Sequence, residues 1–141
     1  TNNPFPKDGL EGKFSLYFCG AIALLHGHGK NSIFTDEAVQ DPSVKDLMGK
    51  IKAGSNPSLK ETEANVKVRL KNGTEFSREV LFPKGDPANP LSFDEMKEKF
   101  RDLVLPVLSK KRTDQIVEVI QELESLEDVN KLLRLCRLEK I

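Results

Sequence analysis

The stretch Val66-Lys67-Val68-Arg69-Leu70-Lys71-Asn72-Gly73-Thr74-Glu75-Phe76-Ser77-Arg78-Glu79-Val80-Leu81-Phe82 decides the fold class. Val66, Val68 and Leu70 alternate with Lys67, Arg69 and Lys71, and Phe76, Val80 and Phe82 alternate with Ser77, Glu79 and Leu81. Period-two alternation on both sides of Asn72-Gly73 reads as a β-hairpin over about residues 64–82. A two-residue loop would set Arg69 against Phe76 and Val68 against Ser77, mixing polar and apolar side chains on each face. A three-residue loop, Lys71-Asn72-Gly73 with Gly73 left-handed, pairs Val68 with Phe76 and Leu70 with Thr74. One face is then apolar on both strands, so this register is the expected one.

Outward from the hairpin the pattern changes to a helical period. On the N-terminal side, Phe14, Phe18, Ile22 and Leu25 make a stripe on a helix from about Ser15 to Leu25. Cys19, Gly20 and Ala23 beside it permit close approach of a neighbour, and Gly27 and Gly29 end it. Thr35 opens a short helical turn. Asp41-Pro42-Ser43 is an N-cap with proline at the first helical position, followed by Val44, Leu47, Met48 and Ile51. Residues 1–13, with Pro4 and Pro6, read as an extended entry. On the C-terminal side, Pro83 to Pro90 excludes regular structure. Ser92 to Glu95 forms a capping box before Phe93, Met96, Phe100, Leu103 and Val104. Pro106 stops that helix, Thr113-Asp114 opens the next, and Ser125 to Asp128 caps a last one carrying Val129, Leu132, Leu133 and Cys136.

The expected fold is therefore α+β: a small antiparallel sheet with about five helices packed on one face. Ile51-Lys52-Ala53 is a candidate third strand. So small a sheet has exposed edges. Either a partner covers it, or a strand preceding residue 1 completes it.

Composition narrows the function. The 141 residues suit one domain of about 100–150 residues. Lys plus Arg equal 22 and Asp plus Glu equal 22. This zero net charge argues against a nucleic-acid binder and against a polybasic membrane module. No apolar run approaches the ~18 residues of a membrane span. Cys19 and Cys136, both in apolar-periodic stretches, read as buried reduced thiols rather than a disulfide or metal framework. The start carries neither a signal-peptide pattern nor an initiator Met, so the expectation is a cytoplasmic chain that is part of a longer protein.

Few residues carry legible chemistry. His26 and His28 are too few for a metal site and suit a solvated helix end. Lys13 with Ser15 is the better anion candidate: Ser15 caps a helix whose first amides, beside a lysine, suit a carboxylate. A plain N-cap with a solvated lysine is the alternative. Lys84-Gly85, on a constrained loop, can also receive an anion, or can simply be a tight turn leading into a capped helix. The charged residues Glu118, Glu122, Glu124, Glu127, Lys131 and Arg134 read as a solvated face. Tyr17 and two loop histidines do not assemble an acid–base set, so no catalytic residue and no metal ligand is assigned.

Three stretches together carry a resemblance: Lys13-Phe14-Ser15-Leu16 leading the Ala-rich helix to Leu24-Leu25-His26-Gly27; Ile33 to Glu37 with Asp41 to Val44 and Leu47; and Val68 to Gly73 with Pro83 to Ser92 and Glu98-Lys99-Phe100-Arg101. In this order and spacing, over about residues 4 to 135, the chain resembles the C-terminal domain of the MmgE/PrpD family. That family includes 2-methylcitrate dehydratase, cis-aconitate decarboxylase and iminodisuccinate epimerase.

The resemblance implies a two-domain, cytoplasmic, homodimeric enzyme of propionate or related metabolism that needs no metal or organic cofactor. A helical N-terminal domain, absent here, would supply the catalytic His, Lys, Asp and Tyr, and this α+β domain would act as a lid over a small di- or tricarboxylate. After Ser15 the family tends to place a Tyr three residues on; this chain has Phe18 there, with Tyr17 beside it. The leading expectation is thus the C-terminal domain of a 2-methylcitrate dehydratase-like lyase, inactive alone, with Lys13, Ser15, Lys84 and Gly85 near substrate. The competing expectations are a stand-alone module that dimerises or binds a protein through its open sheet edge, and an independent small-acid binder.

Overall fold

A computed structural model describes residues 3–138. Among them, seven α-helices and one two-stranded antiparallel sheet succeed one another along the chain. The class is α+β, as the alternating patterns require.

The N-terminal half is helical. Helix α1 (Gly9–Gly12) is a single turn whose start is held by the Asp8 carboxylate, which accepts from the Glu11 amide at 2.8 Å. The extended reading of residues 1–13 missed it, because four residues are too few to show a period. Helix α2 (Leu16–His26) begins at the Ser15 cap and ends at Gly27, whose φ of 73° is the left-handed conformation a β-carbon disfavours. Helix α3 (Asp36–Gln40) follows the Thr35 cap. Helix α4 (Pro42–Met48) follows Asp41, whose carboxylate accepts from the amides of Ser43 and Val44.

The core sits among these helices. Phe18, Ala21 and Ile22 of α2 bury against Val39 of α3 and Val44 and Met48 of α4, with Phe34, Leu47 and Ile51 packed around them. Phe18 and Phe34 meet with ring centroids 5.8 Å apart, tilted by 56°. Burying a side chain of this size contributes about 2–3 kcal/mol. Two ends of the expected stripe, Phe14 and Leu25, lie exposed instead, and Ala21 joins the core. Gly20 serves as expected of a small residue: a β-carbon there would stand 2.9 Å from Ile51 Cδ1. This contact also explains why no strand forms at Ile51-Lys52-Ala53: Ile51 packs against the core after a turn, with its amide bonded to the Met48 carbonyl.

Strands β1 (Ala64–Arg69) and β2 (Glu75–Val80) pair in the three-residue-loop register, with Val68 opposite Phe76, Val66 opposite Arg78 and Ala64 opposite Val80. The Leu70 amide donates to the Thr74 carbonyl at 2.8 Å, and Gly73 turns the chain at φ 89°. Helices were expected to cover the apolar face. They pack mainly on one another, and Val66 and Phe76 remain 52% and 59% exposed.

Beyond the loop, α5 (Phe93–Val104) starts at the capping box, with Ser92 and Glu95 each bonding the other's backbone amide. Helix α6 (Lys110–Gln121) begins at Ser109, a turn earlier than Thr113-Asp114 suggested. Thr113 instead lies buried within it, donating to the Ser109 carbonyl. Ile116, Val117 and Val119 are the buried apolar side of α6. Helix α7 (Asn130–Cys136) starts beyond Ser125, which closes a 3-10 turn; the Asp128 carboxylate accepts from the Asn130 amide at 2.9 Å. Cys136 is exposed rather than buried, and Cys19 is half-buried.

One polar link ties the N-terminal half to α5, and a second ties α5 to α6. Ser32 donates its hydroxyl to Asp102 of α5 at 2.5 Å and its amide to the same carboxylate at 3.2 Å. Asp114 of α6 receives Arg101 at 2.9 Å and Lys110 at 2.6 Å. The accessible surface is 11099 Å², whereas a compact monomer of this mass exposes about 7,300 Å². The chain therefore presents about half as much surface again as a closed domain would.

Candidate functional site

The α1–α2 turn is built by its own residues. Lys13 closes α1, donating its amide to the carbonyls of Gly9 and Leu10. Ser15 is fully buried, and its hydroxyl accepts from the Phe18 amide at 3.2 Å while donating to the Asn3 carbonyl at 2.6 Å. The hydroxyl is thus used to hold the entry segment against the start of α2. Lys13 is exposed beside that helix start. Behind it, Cys19 points its Sγ at the Gly12 carbonyl at 3.6 Å, and burial pushes its thiol up from the usual value. A raised thiol is a poor nucleophile at neutral pH.

The second predicted position lies on the loop between β2 and α5. Gly85 takes φ 95° and donates its amide to the Asn89 carbonyl at 2.8 Å. Lys84 pairs with Glu95 at 3.0 Å, so the capping-box carboxylate of α5 anchors the lysine. Glu95 is held below the usual carboxylate range, first by the Ser92 amide and then by Lys84. No hydrogen bond or ion pair between described residues joins Lys13 or Ser15 to Lys84 or Gly85. The two positions are therefore not linked by such a contact.

A feature that motif reading passed over is a groove of about 590 Å³ between the entry segment and α4. Its walls are mostly apolar, with Phe5, Val39, Met48 and Ile51, and Lys7, Tyr17 and Lys45 add polar groups. Lys45 donates to Gln40 Oε1 at 2.7 Å, and Gln40 in turn donates to the Lys7 carbonyl at 3.1 Å. Such a groove can seat the carbon skeleton of a small acid with its charge at a lysine. Its residues come from separate segments between Pro4 and Ile51, which is why no local motif announces it. His26 and His28 stand exposed at the end of α2, ring centroids 6.3 Å apart. Among the described residues no group of three His, Cys, Asp or Glu could hold a metal ion. Glu118, Glu122, Glu124, Glu127, Lys131 and Arg134 are exposed, as a solvated face requires.

Comparison with known proteins settles the lineage. Residues 1–125 match the MmgE/PrpD C-terminal domain. The chain belongs to the MmgE/PrpD family. It is similar to cis-aconitate decarboxylase of Mus musculus, 29% identical over 141 residues, covering 97% of this chain and 29% of that protein. The Homo sapiens cis-aconitate decarboxylase is 27% identical with the same coverage. The cis-aconitate decarboxylase-like protein oryM of Aspergillus oryzae is 27% identical over 92% of the chain and 28% of its own length. The chain therefore spans less than a third of each of these relatives. No helix among the described residues is long and apolar enough to cross a membrane.

Proposed function

We propose that this chain is the C-terminal domain of an MmgE/PrpD-type lyase that acts on a small carboxylate, and that it is not catalytic alone. Similarity to cis-aconitate decarboxylases across 97% of the chain carries this reading. It makes release of CO2 from cis-aconitate the first reaction to test, ahead of 2-methylcitrate dehydration. The geometry is in keeping with a lid. The domain carries capped helix starts and lysines, but among the described residues it brings no general base and nucleophile together. Its contribution is closure over the site, water exclusion and charge near the substrate carboxylates. Lys13, beside the Ser15-capped start of α2, and Lys84 on its Gly85 loop are the proposed substrate-near cations.

The test is the intact mass of the native gene product, followed by assay of that product with cis-aconitate and with 2-methylcitrate. A polypeptide well above 15.8 kDa that releases CO2 from cis-aconitate supports the proposal. A native polypeptide of 15.8 kDa contradicts it.

A further inference from the structure

The groove between the entry segment and α4 is framed on one side by hydrogen bonds and on the other by the core. The Lys7 amide and Asn3 Nδ2 donate to the Glu11 carboxylate at 2.9 and 3.2 Å, the Ser15 hydroxyl donates to the Asn3 carbonyl at 2.6 Å, and Gln40 donates to the Lys7 carbonyl at 3.1 Å. Pro4 and Pro6 stiffen the same segment. The facing wall is fixed by packing: Val39 is 1% and Met48 8% exposed. The space between is about 590 Å³, within the roughly 300–1,000 Å³ of small-molecule sites.

The charge in this groove is of one sign. Lys7 and Lys45 line it, and no carboxylate does. Among the described residues neither ammonium has an ion-pair partner, and the Tyr17 hydroxyl has no hydrogen-bond partner. Lys45 is oriented: its Nζ donates to Gln40 Oε1 at 2.7 Å, and the Gln40 amide is itself fixed by the Lys7 carbonyl. An ammonium carries three donors, so two remain for a ligand. The remaining wall is mostly apolar, and Phe5 stands 81% exposed where a hydrocarbon chain would cover it. A tricarboxylate would set charge against that wall without a partner, which is costly. One carboxylate on a hydrocarbon chain satisfies both the lysine and the wall.

We propose that this groove binds a monocarboxylate with an apolar chain, its carboxylate on Lys45 and Tyr17 and its chain along Phe5, Met48 and Ile51. The groove includes neither Lys13 nor Lys84, so this site is separate from the proposed substrate-near cations.

The test uses the native gene product and octanoate. Its Kd is taken by isothermal titration, and lysine acetylation is then read by peptide mass spectrometry. With octanoate at about four times its Kd, labelling of Lys45 should slow about fivefold by mass action. Lys52, exposed and outside the groove, should label at an unchanged rate. Octan-1-ol, which lacks the charge, and tricarballylate, which lacks the chain, should not protect Lys45 at the same concentration. Lys45→Met should raise the Kd about tenfold or more, the scale of a charge-assisted hydrogen bond, while Lys45→Arg should hold it within about threefold. Absence of octanoate binding, or binding that leaves Lys45 labelling unchanged, would overturn the site. Equal protection by tricarballylate would overturn the apolar chain, and an unchanged Kd in Lys45→Met would overturn the anchor.

Discussion

Gly9 stands against Phe34 so closely that a β-carbon on the glycine would lie 2.3 Å from the Phe34 carbonyl oxygen, while the Gly9 amide donates to the Asp36 carboxylate at 2.8 Å. This contact clamps α1 to α3 beside the core and thereby places the Lys13 turn. Gly9→Ala should destabilise the chain by about 1–3 kcal/mol, because backbone must move to admit the methyl group. Gly29→Ala, where nothing lies within 4 Å of the added atom, should change stability by no more than about 0.5 kcal/mol. Urea unfolding of the two variants checks the contrast.

Ser15 links the entry segment to α2 through one hydroxyl. Ser15→Ala removes the cap and orphans a buried amide, and should cost about 1–2 kcal/mol. If the hydroxyl serves only this link, the same substitution in the full-length enzyme should leave KM within about twofold of wild type, a margin small beside the tenfold worth of 1.4 kcal/mol. A tenfold rise in KM without loss of stability would give Ser15 a direct substrate contact.

Lys13 and Lys84 are exposed, so their removal should be read in binding and not in folding. Lys13→Ala and Lys84→Ala should each shift stability by less than about 0.5 kcal/mol. In the full-length protein each should raise KM for cis-aconitate about twofold to fivefold, the scale of one screened charge contact. An unchanged KM for both would remove them from the substrate's surroundings.

Asp102 is held below the usual carboxylate range, foremost by the Ser32 hydroxyl. Asp114 is lowered likewise, by Lys110 first and Arg101 second. A depressed folded-state value means the ionised form is favoured by folding. The contribution is fully present above the unfolded-state value and is lost as pH falls through the folded one. Stability should therefore decline as pH drops below the usual carboxylate range. Asp102→Asn should flatten that decline, as read from urea midpoints taken across acid pH.

Much of this structure was legible in the sequence because its determinants are local. Ser15, Asp41 and Ser92 cap the helices they were expected to cap, Thr35 caps the turn it was expected to open, and the hairpin register followed from keeping Val68 and Phe76 on one face. What failed to show was short or non-local. The four-residue α1 has no measurable period, although Asp8 and Glu11 stand at capping spacing. The first turn of α6 is Lys110-Lys111-Arg112, with no apolar residue to mark it. Ile51 looks like a strand residue until Gly20 receives it. At the site, caps and lysines were visible, but the Lys84–Glu95 pair and the groove of Lys7, Tyr17 and Lys45 arise only when distant segments meet.

The measurement that bears most directly on the lid assignment is a side-by-side assay of CO2 release from cis-aconitate by the native full-length gene product and by the 141-residue chain. Turnover is expected from the full-length protein and none from the 141-residue chain. Turnover by the 141-residue chain itself would contradict the assignment of this domain as a lid without its own catalytic residues.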